Sequence, residues 1–172
     1  AIDESDAMDI RLKASIHLIR MYHIAERERA RADREHENAR TDPLTGAKNR
    51  RWSDENGIYH PSPYLVVRLD VDEFKEYNDN YGHAQADCAL KTLVNTLNEN
   101  IRKETDKVVR KGGDEFLVIL YNVHKEAAYT AAEKLRKAVE DAVIPNCGSF
   151  KNSGYEKIKI SMGVASSEAM PD

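Results

Sequence analysis

VVRKGGDEFLVIL, residues 108–120, is the stretch on which the fold turns. Both ends are apolar and β-branched, the composition of buried strands. The centre holds Gly112, Gly113, Asp114 and Glu115. Two glycines between strand-like runs signal a tight hairpin, because glycine reaches backbone conformations that other residues avoid. A turn accounts for the glycines. It does not account for two adjacent acids.

On the N-terminal side, residues 64–70 (YLVVRLD) read as a mostly buried strand and 73–81 as a helix punctuated by Gly82-His83. A second helix carries Ala86, Leu90, Leu93, Val94, Leu97 and Ile101 on one face. The hairpin supplies strands over 107–110 and 115–121. A helix over 125–143 follows, with Ala128, Ala131, Leu135, Ala138 and Val139 inward. Residues 157–165 alternate Ile158, Ile160, Met162 and Val164, the pattern of a half-buried strand. This order predicts an α+β fold, a central, mostly antiparallel sheet flanked by helices.

Residues 7–40 contain neither Gly nor Pro and are dense in charge, which predicts one long N-terminal helix. Leu12, Ile16, Ile19 and His23 recur at four- and three-residue steps, a short coiled-coil-like seam. A mostly polar helix has little else to stabilise it, so the seam predicts a connector that dimerises. Thr41-Asp42-Pro43 ends the helix, since the residue before proline is pushed out of the α region. A short helix is expected over 47–52 and a loop over 57–63. The expected division is a connector at 1–40 and a second domain at 41–172.

The chain of 172 residues is 41% hydrophobic with a net charge of -4, enough for one cored domain and an appendage. That charge gives no global basic field of the kind that holds nucleic acid, so no nucleic-acid partner is expected. No apolar run approaches a membrane span, and no signal peptide opens the chain. Cys88 and Cys147 match no disulfide or zinc spacing, and a reducing, cytoplasmic setting is the simpler expectation. The first residue is Ala1 rather than Met, as in a piece of a longer protein whose upstream part could carry a membrane anchor.

Asp70 ends the first strand and Asp72 follows it. If the second hairpin strand neighbours the first strand, Asp70 and Asp114 converge. Converging carboxylates repel unless a cation lies between them. A hard divalent ion such as Mg²⁺ suits oxygen ligands and bridges to substrate phosphates, and a pair of such ions serves phosphoryl transfer. The plainer reading makes these acids helix caps and turn residues. For Asp72 the cap reading is the stronger one, and Asp114 taken alone is ordinary turn chemistry.

The combination is more specific. RKGGDEF (110–116) resembles the signature of the GGDEF-domain diguanylate cyclases. DPLTGAKNRR (42–51) resembles that family's opening motif, LDVDEFKEYNDNYGHAQAD (69–87) its nucleotide-side segment, and SMGVA (161–165) its late strand. Four motifs in order make a chance match very improbable. The resemblance implies a palm-like domain akin to adenylyl cyclases, with a ferredoxin-like core. It implies condensation of two GTP molecules into cyclic di-GMP across a domain dimer whose active sites face each other transiently. A homodimer through the N-terminal helix fits that requirement.

Residue by residue, the resemblance implies Mg²⁺ at Asp70 and Asp114 with the Val71 carbonyl, Mn²⁺ being the alternative ion. Asp114, Lys75 and Glu115 form the catalytic set, with Glu115 a second-metal ligand and Lys75 beside the phosphates. The role of Asp114 is mainly electrostatic, because a metal-bound carboxylate is a weak base. Phe74 opens the phosphate-side helix, whose first N–H groups cradle anions. Asn78 and Asp87 read the guanine edge, and His83 stands on the substrate side. Gly112 and Gly113 leave room for the nucleotide. Asp42 and Arg110 are expected to pair, tying the hairpin to the opening motif.

Three departures stand out. The family's inhibitory site, R-x-x-D, falls on Lys103 to Asp106, where lysine replaces the arginine and Arg102 is one position out of register. Lysine lacks the bidentate fork that grips guanine and phosphate, so product inhibition through Lys103 and Asp106 is expected to be weak or absent. Ala86 replaces a glycine before Asp87. The C-terminal helix with basic phosphate contacts that the family implies is not among the 172 residues. The alternatives to a diguanylate cyclase are a degenerate GTP-binding signalling module without turnover and a synthase of mixed cyclic GMP-AMP. Retained Asp87 argues against the second.

Overall fold

A computed structural model describes residues 4–56, 60–142 and 158–168. The chain divides into two units, Ala1–Ala39 and Arg40–Asp172. The first is a single helix, α1 (Glu4–Asn38). Its seam residues Leu12, Ile16 and Ile19 are exposed, as is His23. Among the described residues, no helix is long and apolar enough to cross a membrane.

The second unit is built on a five-stranded sheet of order β1-β3-β4-β2-β5. The strands are β1 (Lys48–Asn49), β2 (Tyr64–Val71), β3 (Lys107–Gly112), β4 (Glu115–Tyr121) and β5 (Ile160–Ser166). β2 runs antiparallel to both β4 and β5, and β3 is antiparallel to β4. Among the described residues, only the short β1 is parallel to its neighbour, β3, so the sheet is mixed and mostly antiparallel. The helices are α2 (Arg50–Asn56), α3 (Phe74–Tyr81), α4 (His83–Glu99) and α5 (Ala128–Asp141).

Alternation along β2 sends Leu65, Val67, Leu69 and Val71 into the core. There they join Leu90, Leu93, Val94 and Leu97 of α4, Leu135 and Val139 of α5, and Phe116 of β4. Burial of each such side chain contributes roughly 1.5–3 kcal/mol. The opposite face of β2 carries Arg68, which is exposed, and Asp70, which is half-buried. One strand therefore divides its residues between core and site by parity alone.

The structure moves several expected boundaries. Residues 48–49 pair with β3 in the register Lys48↔Val109 and Asn49↔Arg110, so the expected helix over 47–52 begins only at Arg50. Its start is capped by Asn49, whose Oδ1 accepts the Trp52 N–H at 3.0 Å. The open edge of β3 takes this backbone, and no local periodicity records that. Ahead of α5, residues Lys125–Ala127 form a 3₁₀ turn. Of the expected loop over 57–63, residues 57–59 lie outside the described residues, as does Lys157 of the expected last strand.

Cys88 on α4 is disulfide-bonded, which corrects the expectation of unpaired thiols. Sequence spacing does not forbid a bridge between segments that the fold brings together. Cys147 lies outside the described residues.

Candidate active site

The register of β2 and β4 sets Asp70 directly opposite Glu115, and Asp114 precedes Glu115 in the turn. The expected neighbourhood of hairpin and first strand is therefore present. Burial, and then the negative charges of Asp114 and Glu115, push the Asp70 carboxyl above its ordinary range. Asp72 adds to that push and Arg68 opposes it. Gly113 has φ 52° and Gly112 φ 156°. Among the described residues, a Cβ on either would meet no protein atom within 4 Å. Glycine is thus demanded by the backbone conformation, and the space over the turn is open.

The turn is fastened from outside. Arg110 Nε donates to the Gly113 carbonyl at 2.9 Å, and its Nη1 to Asp42 Oδ1 at 3.0 Å. The same Asp42 oxygen accepts the Thr45 N–H at 2.9 Å and its hydroxyl at 2.6 Å. Burial would raise the Asp42 pKa, but the bonds from Thr45 and Arg110 outweigh it and hold the carboxyl below its usual range. The pairing of Asp42 with Arg110 is as expected. Lys111, which no motif in the sequence singles out, donates to Ser53 Oγ at 2.9 Å and Asp54 Oδ1 at 3.2 Å.

Between β2 and α3 the cap reading of Asp72 fails. Its Oδ1 accepts the Ser161 hydroxyl at 2.6 Å, and its N–H donates to the Lys159 carbonyl at 3.0 Å. Glu73 takes the N-cap position instead, in the left-handed conformation (φ 53°), without a side-chain cap bond. The neighbouring strand supplies a partner for Asp72 that local sequence cannot reveal. The start of α3 keeps its capacity to bind an anion.

Val71, the last residue of β2, is buried. Phe74 opens α3, stacks on Tyr77 with ring centroids 6.4 Å apart and packs on the core. Lys75 is exposed on the first turn, with Asn78 one turn later. Asn78 Oδ1 is buried and, among the described residues, lacks a hydrogen-bond partner. Such an oxygen calls for a donor, and a purine N–H is one. His83 and Asp87 lie one turn apart on α4, both exposed, and α4 packs against α3. The fold thus gathers Asp70, Asp114 and Glu115 at one sheet end, while Lys75, Asn78, His83 and Asp87 sit on the helix pair that leaves it.

Lys103 and Asp106 line a cleft of about 550 Å³ together with Lys48, Asn95 and Lys107. Asp106 is nevertheless buried. Arg102 Nε donates to its Oδ2 at 3.0 Å and Arg102 Nη2 to its Oδ1 at 2.8 Å. The backbone N–H groups of Arg102 and Tyr121 add bonds of 3.0 and 3.1 Å. Burial would raise its pKa, but these bonds hold it below the usual carboxylate range. The out-of-register arginine is the partner of this aspartate.

The family model described as "Diguanylate cyclase, GGDEF domain" matches residues 39–171. The chain is 33% identical over 141 residues to the probable diguanylate cyclase DgcT of Escherichia coli K12, covering 79% of this chain and 30% of that one. It is 32% identical over 155 residues to diguanylate cyclase DgcM of the same organism, covering 86% and 35%. The chain therefore spans about a third of the length of these relatives. Among solved structures, the coiled coil and GGDEF domain of DgcB from Caulobacter crescentus, in complex with c-di-GMP, aligns with TM-score 0.72 at 22% identity, covering 90% of this chain and 83% of that one. Diguanylate cyclase SiaD from Pseudomonas aeruginosa, in complex with its activator SiaC, aligns with TM-score 0.61 at 27% identity, covering 98% and 70%.

Proposed function

Because the chain belongs to the GGDEF family of diguanylate cyclases, we propose that its second unit holds one GTP and condenses it with the GTP of a second copy to form cyclic di-GMP. Each ribose 3′-oxygen attacks the other nucleotide's α-phosphorus, pyrophosphate leaves, and the hydroxyl proton passes to solvent or a nearby base. The observation that carries this reading is the carboxylate cluster itself, with half-buried Asp70 directly opposite Glu115 in the β2–β4 register and Asp114 next to Glu115 in the turn. Such a cluster is costly in a binding-only module and useful where a cation must be held.

Asp70 and Asp114, with the Val71 carbonyl, would hold a Mg²⁺ or Mn²⁺ ion. When bound, that ion stabilises charge on the α-phosphate and the leaving pyrophosphate. Lys75 and the uncapped start of α3 receive the phosphates. Asn78, with its unpartnered Oδ1, and Asp87 select guanine, because the guanine edge offers N–H donors that adenine lacks. His83 lines the substrate side, and Gly112 and Gly113 leave the space over the turn open. The exposed seam of α1 supports a homodimer that brings two active sites together. GTP as substrate implies a cytoplasmic catalytic unit, although a disulfide at Cys88 is unusual in a reducing compartment. Product inhibition is weak or absent, since internal bonds occupy Asp106 and Lys103 lacks the arginine fork.

Incubation of the full-length protein with GTP and Mg²⁺, with product identification by mass, tests the reading. Cyclic di-GMP is expected from wild type and none from Asp114→Ala. A GTP and ATP mixture is expected to give the same product alone. GTP binding without turnover in wild type would overturn the enzymatic reading, and a mixed dinucleotide would overturn the base assignment.

A further inference from the structure

The carboxylate cluster has a cation of its own. Arg68 lies two residues before Asp70 on the same face of β2, and its Nη2 is 2.5 Å from Glu115 Oε1. Its register partners are Leu117 on β4 and Gly163 on β5, neither of them charged. Among the described residues no basic side chain is ion-paired with Asp70 or Asp114. The three acids are therefore unequal: one is already paired, and two are open.

We propose that Arg68 is a built-in counter-ion that reserves Glu115, competes with divalent cations for that carboxylate, and so sets how tightly the cluster binds them. This rests on the metal-binding reading of Asp70 and Asp114 given above. Both partners are partly exposed, at 67% and 45% of their side-chain surface, so the pair is weak enough for a dication to displace. Displacement leaves a guanidinium beside the ion, which repels it. In the absence of metal the same guanidinium relieves the mutual repulsion of Asp70 and Glu115, which face each other in register. One side chain thus stabilises the empty cluster and weakens the loaded one.

The probe is Mn²⁺ alone, titrated into the full chain at low ionic strength with free Mn²⁺ followed by electron paramagnetic resonance. Arg68→Met and Arg68→Gln are expected to bind Mn²⁺ on the order of tenfold more tightly than wild type, from Coulomb repulsion removed near the site. Arg68→Lys keeps the charge and stays within about threefold of wild type. In a Glu115→Gln background, Arg68→Met is expected to gain less than about threefold, because the competition runs through that carboxylate. No gain with either neutral variant, or a full gain that persists without Glu115, overturns the role of Arg68. Mn²⁺ binding that Asp114→Asn leaves untouched overturns the metal-site reading, and this proposal with it.

Discussion

Asp70 on β2 and Glu115 on β4 stand directly opposite each other in an antiparallel ladder, two acids in register at the end of the sheet. Like charges so placed destabilise a sheet, and the Asp70 carboxyl is raised by burial and by its acidic neighbours. An acid whose native pKa lies above its unfolded value contributes stability at low pH and loses it as pH rises through the native value. At neutral pH the ionised Asp70 is therefore a cost. Asp70→Asn is expected to raise the melting temperature in divalent-free buffer at pH 7 by about 3 °C, the scale of roughly 1 kcal/mol in a domain of this size. The difference should vanish near pH 3, where both versions are uncharged. The same variant should form no product. A fall in melting temperature at pH 7 would contradict the account.

The fastening of the hairpin makes a second prediction. Asp42 Oδ1 collects bonds from Thr45 and Arg110, and Arg110 in turn holds the Gly113 carbonyl. Asp42→Asn weakens the charge-assisted bond and should cost about 1–2 kcal/mol in urea unfolding. Loss of turn position should also lower kcat. Unchanged stability together with unchanged turnover would mean that the pair is incidental.

Asp106 and Arg102 separate a structural role from a regulatory one. Asp106→Asn leaves a half-exposed arginine and two backbone donors poorly matched, and should destabilise by about 1–3 kcal/mol. The carboxyl is held low in the native state, so its contribution is present above the unfolded carboxylate range and lost as pH falls through the native value. Acid titration of wild type and variant should therefore converge only as pH falls below the ordinary carboxylate range. Tight cyclic di-GMP binding in wild type that Asp106→Asn abolishes, without a loss of stability, would restore an inhibitory role to this residue.

The seam of α1 carries the fourth. Leu12, Ile16 and Ile19 are exposed in one chain, and a second copy would cover them. Ile16→Asp with Ile19→Asp should shift the protein toward monomer in sedimentation velocity and lower turnover at least about tenfold, because two sites must meet for one reaction. An unaltered dimer would place the interface elsewhere.

Much of the site was readable in sequence because its chemistry is local. Gly112 to Glu115 advertise a turn with acids, and the spacing from Lys75 to Asn78 is one turn of a helix wherever that helix lies. Asp72 departs from its local pattern for the opposite reason. An aspartate before a helix is a cap in most contexts, yet here Ser161, 89 residues away in sequence, takes its oxygen. Lys111 with Ser53, and Asn49 with the edge of β3, were invisible on the same ground.

Residue type and local pattern suffice for the identity of the reacting groups and for the alternation that keeps Leu65, Val67 and Leu69 in the core while placing exposed Arg68 and half-buried Asp70 on the other face. Those follow from residue type and the two-residue period of a strand. Which charges meet is set by the folded chain. The register of β2 against β4 set Asp70 opposite Glu115 and brought Arg68 to it, and the turn at 102–106 gave Asp106 to Arg102 rather than to a ligand. Long-range pairing is fixed by backbone hydrogen bonding between distant segments, and no short window of sequence encodes it.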